Sequence, residues 1–207
     1  MPPAHRVRRI SWLLSAATAL AVAAVAVWTP WADAARTSPS QSAVRGWELP
    51  EIPDEIKVPD GNEPFLVTRG KGVQIYQCQS TASGVAWTFI APSAILLDRR
   101  GKRVGDHGFG PYWRALDGSL VQGHMAVAVP APNDPEHAIP WLRITARTAT
   151  PARDGGQGTF TPTTFIHRLA TVGGVAPAAD TCTTAAVGTV APVDYEAIYV
   201  FYRATEP

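Results

Sequence analysis

Alternation of apolar and polar side chains is the main pattern along this chain, and its period is that of β-strands. Between residues 141 and 147, Leu142, Ile144 and Ala146 alternate with polar or aromatic neighbours, which is typical of a strand with one buried face. Residues 195–203 carry apolar or aromatic groups on both faces, which indicates a strand in the middle of a sheet. Further β-rich runs, separated by Gly and Pro, cover residues 65–68, 73–79, 86–90, 94–98, 119–129 and 164–169.

Turn signals recur about every ten residues between these runs, which is the spacing of a β-sandwich or barrel. After residue 34 the chain has no apolar stripe at helical spacing and no internal repeat of fixed period, which argues against solenoids and propellers. The sequence therefore predicts an all-β fold: a single-domain antiparallel β-sandwich or barrel-like fold with an extended N-terminal arm.

The first 34 residues have the composition of an export signal. Arg6, Arg8 and Arg9 precede an uncharged apolar run, and Ala32 and Ala34 are small residues at the positions that signal peptidase reads. We expect a signal peptide over residues 1–34 and a secreted or cell-envelope protein. The alternative is a retained anchor, because residues 11–32 approach the roughly 20 residues that cross a bilayer.

Residues 35–62 are polar and proline-bearing, and they precede a β-rich domain over residues 63–207. Pro50, Pro53 and Pro59 exclude a long helix, because proline lacks the amide proton and biases its predecessor away from helical geometry. The segment is therefore predicted to be an extended arm, whose apolar side chains can pack on the domain surface.

Charge and composition give no sign of a macromolecular partner. Removal of the first 34 residues changes the formal net charge from +1 to −1, which offers no electrostatic footprint for nucleic acid or an anionic membrane. We therefore expect a monomer with no nucleic-acid partner and no membrane contact beyond the signal segment. The sequence identifies no cofactor.

Cys78 and Cys182 are the two cysteines of the chain, so one intramolecular pairing exists. Export to an oxidising compartment favours a disulfide over a reactive thiol or a metal ligand. Closing a loop of this length stabilises a fold by up to about 4.7 kcal/mol in the chain-entropy model.

Residues 101–124 lie between two predicted strands and carry several polar side chains, including His107 and His124. A metal site usually needs three convergent ligands, and His107 and His124 with a nearby aspartate are the candidates. The alternative is that both are ordinary histidines bonded to backbone, because no close-spaced histidine pair is present.

His107 is also a candidate general acid or base, because an unperturbed histidine titrates near neutrality. Asp106 or Asp117 would orient it, and Ser119 would be the nucleophile. Against this, residues 117–119 read Asp-Gly-Ser, which is a good turn sequence, and no nucleophile elbow is present.

Aromatic residues suggest a ligand surface for a small molecule or a glycan. Tyr112 and Trp113 are predicted to be exposed, because they lie in a Gly-Pro-rich stretch where binding residues are commonly displayed. Trp87 lies within an apolar run and is assigned to the core. Arg143 and Arg168 lie in apolar strands: they either face solvent or, if inward, must meet a carboxylate or an anionic ligand.

The motifs of the chain resemble a known family over about residues 49–203. They are Val58-Pro59-x-Gly61, Gly72-Val73-Gln74-Ile75-Tyr76-x-Cys78, Trp87-x-Phe89-x-x-Pro92-x-Ala94, His107-x-x-Gly110-Pro111-x-Trp113, Asp117-Gly118-Ser119, Ile139-Pro140-Trp141-Leu142, Gly173-Gly174-x-Ala176-Pro177 and Tyr199-x-Phe201-Tyr202. This combination resembles the secreted bacterial and fungal proteins known as domain of unknown function 3455. The resemblance implies export and a single β-rich domain, and it implies no reaction.

These observations favour a binding module of the extracellular space or cell envelope, with Tyr112, Trp113, His124 and Arg168 as ligand-binding candidates. Two alternatives stay open. One is a secreted enzyme, metal-dependent in one form, that uses His107 with Asp117; the other is a structural envelope protein. A metal or catalytic site requires His107, Asp117 and His124 to converge in one pocket.

Overall fold

The computed structural model describes residues 46–205, so the predicted signal peptide and the start of the predicted arm lie outside the described residues. The described part of the chain forms eight strands: β1 (Asn62–Thr81), β2 (Gly84–Leu97), β3 (Arg103–Gly108), β4 (Tyr112–Ala115), β5 (Leu120–Val129), β6 (Trp141–Thr150), β7 (Phe165–Gly173) and β8 (Val190–Ala204). Each strand pairs with the next in the chain, and β8 pairs antiparallel with β1 to close a barrel. The predicted all-β fold is confirmed, in its barrel form.

The helical segments of residues 46–205 are three short 3-10 helices, Asp54–Ile56, Ala179–Thr181 and Thr184–Ala186. No helix in the described part of the chain is long and apolar enough to cross a membrane.

Strands β1 and β2 are each longer than the runs predicted from the sequence, because glycine or proline inside them does not end the strand. A Cβ atom on Gly70 would collide with the Tyr199 ring, and one on Gly72 would collide with the backbone of Ser93 and Ala94. These glycines therefore allow close approach inside the barrel rather than a turn between strands.

The polar stretch between the predicted strands contains two short strands, β3 and β4, rather than a long loop. They pair antiparallel, with His107 opposite Trp113 and Asp106 opposite Arg114. Since side chains alternate along a strand, the first pair points into the barrel and the second pair lies on its outer face. The alternation along β3 and β4 therefore determines which of these polar groups can reach the barrel interior.

The barrel interior contains an apolar core and a cavity beside it. Tyr195, Tyr199 and Phe201 of β8 belong to the same buried cluster as Trp113 and Ile144. Phe160, from the connection before β7, is fully buried and packs on Phe201 with ring centroids 4.6 Å apart.

The described part of the arm covers the outer face of β6, β7 and β8. Ile56 has no exposed surface and packs with Val67, Leu169 and Val200. His167 of β7 contacts the Ile56 carbonyl oxygen at 2.6 Å through Nε2, so burial and hydrogen bonding together hold the arm on the barrel.

Cys78 and Cys182 form the predicted disulfide, with their Cα atoms 5.4 Å apart and a sequence separation of 104. The bond ties β1 to the connection that carries the last two 3-10 helices. It thereby anchors the long segment between β7 and β8.

Candidate functional site

A cavity of about 370 Å³ opens among the inward-facing side chains of the barrel. Four of the residues singled out in the sequence border it: His107, Trp113, His124 and Arg168. The other lining residues are Gln74, Phe89, Ile90, Pro92, Phe109, Gly110, Pro111, Ala126, Leu142, Ile144 and Tyr199. The cavity is thus mostly apolar, with a few polar groups.

His107 is held in this wall by its neighbours, with 5% of its surface exposed. Its Nδ1 lies 2.7 Å from the Tyr112 carbonyl oxygen. A carbonyl only accepts, so Nδ1 carries the proton and donates it, which leaves Nε2 of the neutral ring as an acceptor. The ring stacks on Trp113 with centroids 4.4 Å apart.

The environment of His107 does not suit acid/base work near neutral pH. Burial lowers its pKa to about 4; the hydrogen bond to the Tyr112 carbonyl opposes this only in part, and the charge of Arg168 lowers it further. The expected pKa near neutrality was wrong, because the alternating pattern does not show that His107 faces inward. His107 is neutral at pH 7.

Asp117 and Ser119, the other candidates for catalysis, build a turn instead. Oδ1 of Asp117 accepts from the backbone and hydroxyl of Ser119 at 2.8 and 2.6 Å, and Oδ2 accepts from the backbone and hydroxyl of Thr159 at 2.8 and 2.7 Å. Burial raises the pKa of Asp117, but the four hydrogen bonds lower it by more than burial raises it. The pKa of Asp117 therefore lies below its usual range.

Both carboxylate oxygens of Asp117 are therefore engaged away from His107. Ser119 Oγ in turn accepts from the Phe160 amide at 3.1 Å, so the turn fixes the segment that fills the barrel at Phe160. Asp106, the other proposed partner of His107, forms an ion pair with Arg114 on the outer face, 2.9 Å apart. The structure therefore does not bring His107 together with Asp117 and Ser119 as a catalytic group.

The metal prediction receives no support from the described residues. His107 and His124 border the same cavity, but among residues 46–205 no group of three or more His, Cys, Asp and Glu side chains is placed to hold a metal ion. Two imidazoles alone fall short of the three protein ligands of a typical site.

Tyr112 and Trp113 do not form the exposed pair that was predicted. Trp113 is only 1% exposed and belongs to the core, so that prediction was wrong. Tyr112 lies on the opposite face of β4, where its ring packs against Gly108 and the guanidinium of Arg114 lies 5.4 Å from the ring centroid. Neighbours in a strand point to opposite faces, and this separates them.

Trp87 was assigned to the core, but it is only half-buried on β2. Its indole Nε1 donates to Thr181 Oγ1 over 3.0 Å. The ring therefore supports the segment near the disulfide, and it is not part of the cavity lining.

Arg168 is the charged group of the cavity. Its Nε and Nη2 both donate to the Pro140 carbonyl oxygen, at 3.1 and 2.8 Å. No carboxylate among residues 46–205 forms an ion pair with it. Burial lowers the pKa of Arg168, and the neighbouring tyrosines oppose that shift. A cation thus faces the cavity without an anionic partner.

Arg143, the other arginine singled out, faces away from the barrel interior. Its Nη1 donates to the Lys57 carbonyl oxygen at 2.6 Å. It belongs to the attachment of the arm. Of the two orientations that the sequence leaves open for Arg143, the structure has the outward one.

Sequence reasoning missed several cavity residues, above all Gln74, Phe89 and Phe109. Gln74 is 2% exposed, and its Nε2 is buried with no hydrogen-bond partner in the described structure. One signal was available: Gln74 shares a strand face with Tyr76 and Cys78, which are both buried. A glutamine on a buried face needs a partner.

No curated protein and no solved structure matches this chain. A family model described as "Protein of unknown function (DUF3455)" matches residues 59–203, which contain the whole barrel except Ala204, the last residue of β8. The match agrees with the resemblance carried by the sequence motifs, and the chain belongs to this DUF3455 family.

Proposed function

We propose that this protein is an exported binding module that holds one small, largely apolar molecule in the barrel cavity. The observation that carries the proposal is the cavity of about 370 Å³ with mostly apolar walls and a few polar groups. Ligand sites of small molecules commonly have 300–1,000 Å³ and this composition. An eight-stranded barrel is wide enough to enclose one such ligand.

The rim of the cavity supports entry of an apolar ligand. Phe109 is 74% exposed, and Phe89 and Ile90 are also exposed there. Large apolar side chains grouped around an opening mark binding sites on soluble proteins. A small apolar molecule fits this site better than a glycan, because Trp113, the ring proposed for sugar stacking, is buried.

The disulfide supports export, since such bonds persist in oxidising compartments. The extracellular space or the cell envelope is therefore the proposed location. The barrel closes on itself within a single chain, in keeping with a monomer.

The test is titration with N-phenyl-1-naphthylamine, a neutral apolar fluorophore that brightens in apolar sites. Wild type is expected to bind it saturably at one site per chain. Ala126 is an exposed residue of the cavity lining, and Ala126→Trp would place an indole in the space that the ligand needs. Binding should therefore weaken by about tenfold or more, which corresponds to about 1.4 kcal/mol.

The matched control is Val172→Trp, which adds the same indole at a site on β7 that is 62% exposed and outside the cavity. It should bind the fluorophore as the wild type does. Absence of saturable binding in the wild type, or equal binding by the Ala126→Trp chain, contradicts the proposal.

A further inference from the structure

The inner face of β7 places one positive charge in an apolar cavity. Arg168 lines that cavity and has no ion-pair partner among the described residues. Arg168 is only partly buried, but a charge in mostly apolar surroundings without a counter-ion is still unfavourable, and proteins normally pair it. A negatively charged group in the cavity would balance the charge of Arg168, and no described residue supplies such a group.

The guanidinium is held so that one edge stays open. The Pro140 carbonyl takes hydrogen bonds from Nε and Nη2 and so fixes the plane of the group. Nη1 has no acceptor among residues 46–205. The edge formed by Nη1 and the second proton of Nη2 matches the two oxygens of a carboxylate.

Gln74 provides a second and independent sign of a missing acceptor. It borders the same cavity and is 2% exposed, and its Nε2 donor has no partner in the described structure. Buried amide donors are rarely left without an acceptor. An acceptor-rich group in the cavity would satisfy Gln74 and Arg168 together.

Arg168 is the one Arg or Lys side chain among the lining residues of the described structure. His107 is neutral, because its pKa is about 4. The nearby hydroxyls of Tyr195 and Tyr199 bond to each other at 3.2 Å, and burial raises the pKa of both, so they carry no charge. A single cation suits a singly charged acid better than a phosphate monoester.

We propose that the ligand is an apolar monocarboxylate whose carboxylate binds the open edge of the Arg168 guanidinium, while its apolar body lies between Phe89, Leu142 and Ile144. This inference rests on the proposed cavity-binding function and specifies the chemical class of its ligand. Arg168 gives the orientation and the charge preference, and the apolar walls give the remaining affinity.

The experiment compares acid and alcohol pairs that have the same carbon skeleton, by calorimetric titration of the full exported chain at pH 7.5. The probes are decanoate against decan-1-ol and 2-naphthoate against naphthalen-2-ylmethanol. For at least one pair the wild type should bind the acid about tenfold tighter or more, since hydrogen bonds to charged groups are stronger than neutral ones. In Arg168→Gln that acid preference should fall to near one.

The matched control is Arg143→Gln, because Arg143 faces outward on the neighbouring strand, donates to the arm carbonyl of Lys57 and is not part of the cavity lining. It should keep the acid preference. Circular dichroism verifies that both variants fold, and the wild-type comparison decides the question even where a variant does not fold.

The outcomes separate the two proposals. Equal affinity of the wild type for acid and alcohol, with both bound, overturns the ligand class and leaves the cavity function standing. An acid preference that survives in Arg168→Gln also overturns this inference. If neither the acids, the alcohols nor the neutral fluorophore bind, both proposals are wrong.

Discussion

The inner and outer faces of the barrel each carry an arginine and a histidine, and the two pairs are satisfied in different ways. On the outer face, Arg143 donates to the Lys57 carbonyl, and His167 contacts the Ile56 carbonyl and the Tyr202 hydroxyl. On the inner face, Arg168 and His107 each bond to one backbone carbonyl and line the cavity.

The difference separates a structural role from a binding role. The arm covers the outer pair, so its polar groups join two parts of the fold. No segment among residues 46–205 fills the inner cavity, so the unused donors there are open to a ligand. Residues of the same type thus differ in role because the alternation of a strand points them to opposite sides of the sheet.

The largest expected effect is on the outer face, at Ile56. Ile56→Ala removes a fully buried side chain between the arm and the barrel. The free energy of unfolding should fall by about 2–5 kcal/mol, which is the range for removing a large aliphatic side chain from a core. Urea denaturation with the disulfide intact measures it.

Ile95→Ala is the control, because Ile95 is 38% exposed on β2. Its effect should be clearly smaller. Equal losses in the two variants would show that the arm does not contribute as a buried part of the fold, and the comparison between a covered and an uncovered face would then fail.

The two histidines predict a loss of stability at mildly acidic pH. Burial lowers the pKa of both His107 and His167 in the folded chain. Between the unfolded value of 6.5 and about 4 for His107, the unfolded chain binds a proton that the folded chain does not, so stability falls as pH falls through this window.

For His107 this amounts to about 2–3 kcal/mol between pH 7 and pH 4.5, because its pKa falls from 6.5 in the unfolded chain to about 4 in the folded chain. His107→Phe keeps a ring against Trp113 and should lose correspondingly less stability over that interval in urea denaturation. An unchanged pH dependence would mean that folding does not lower the pKa of His107, and the neutral state assigned to His107 in the cavity would then have to be revised.

The fold class and the disulfide could be predicted from the sequence, because they follow from strand period and cysteine count. The sequence leaves open whether Arg143 and Arg168 face outward or inward. The sequence did not predict that Trp113 is buried. The alternation of Tyr112 and Trp113 shows that the two rings lie on opposite faces once they belong to a strand, but Gly110 and Pro111 indicate a loop there. Only the pairing of β3 with β4 identifies the strand.

Barrel closure is the other feature that local patterns do not show. Gly70 and Gly72 act as turn signals in the sequence, yet both lie inside β1 because Tyr199 and the backbone of β2 approach them closely. Likewise Gln74 and Arg168 lie about 100 residues apart in sequence, and they border one cavity only because β1 pairs with β8 and β8 with β7. Such contacts depend on the whole topology.

The smallest expected effect on stability is at the rim, where Phe109 forms the tip of the turn between β3 and β4 and is 74% exposed. Phe109→Ser should change the free energy of unfolding by no more than about 0.5 kcal/mol, since little buried surface is lost. Binding of N-phenyl-1-naphthylamine should nevertheless weaken about threefold to tenfold, because a bound ligand covers part of the ring.

Val187→Ser is the matched control for Phe109→Ser, because Val187 is also an exposed apolar side chain but lies away from the cavity. It should affect neither unfolding nor fluorophore binding. If Phe109→Ser bound the fluorophore as tightly as the wild type, the ligand would not pass or touch the rim. The contrast between the inner and outer faces of the barrel would then be supported by Arg168 alone. The outer face would still be a packed junction with the arm, but the rim at Phe109 would not be an apolar entrance to the inner cavity. At the open inner face, Phe109→Ser is expected to weaken ligand binding while the free energy of unfolding is retained. At the covered outer face, Ile56→Ala is expected to lower the free energy of unfolding, and this difference distinguishes the two faces.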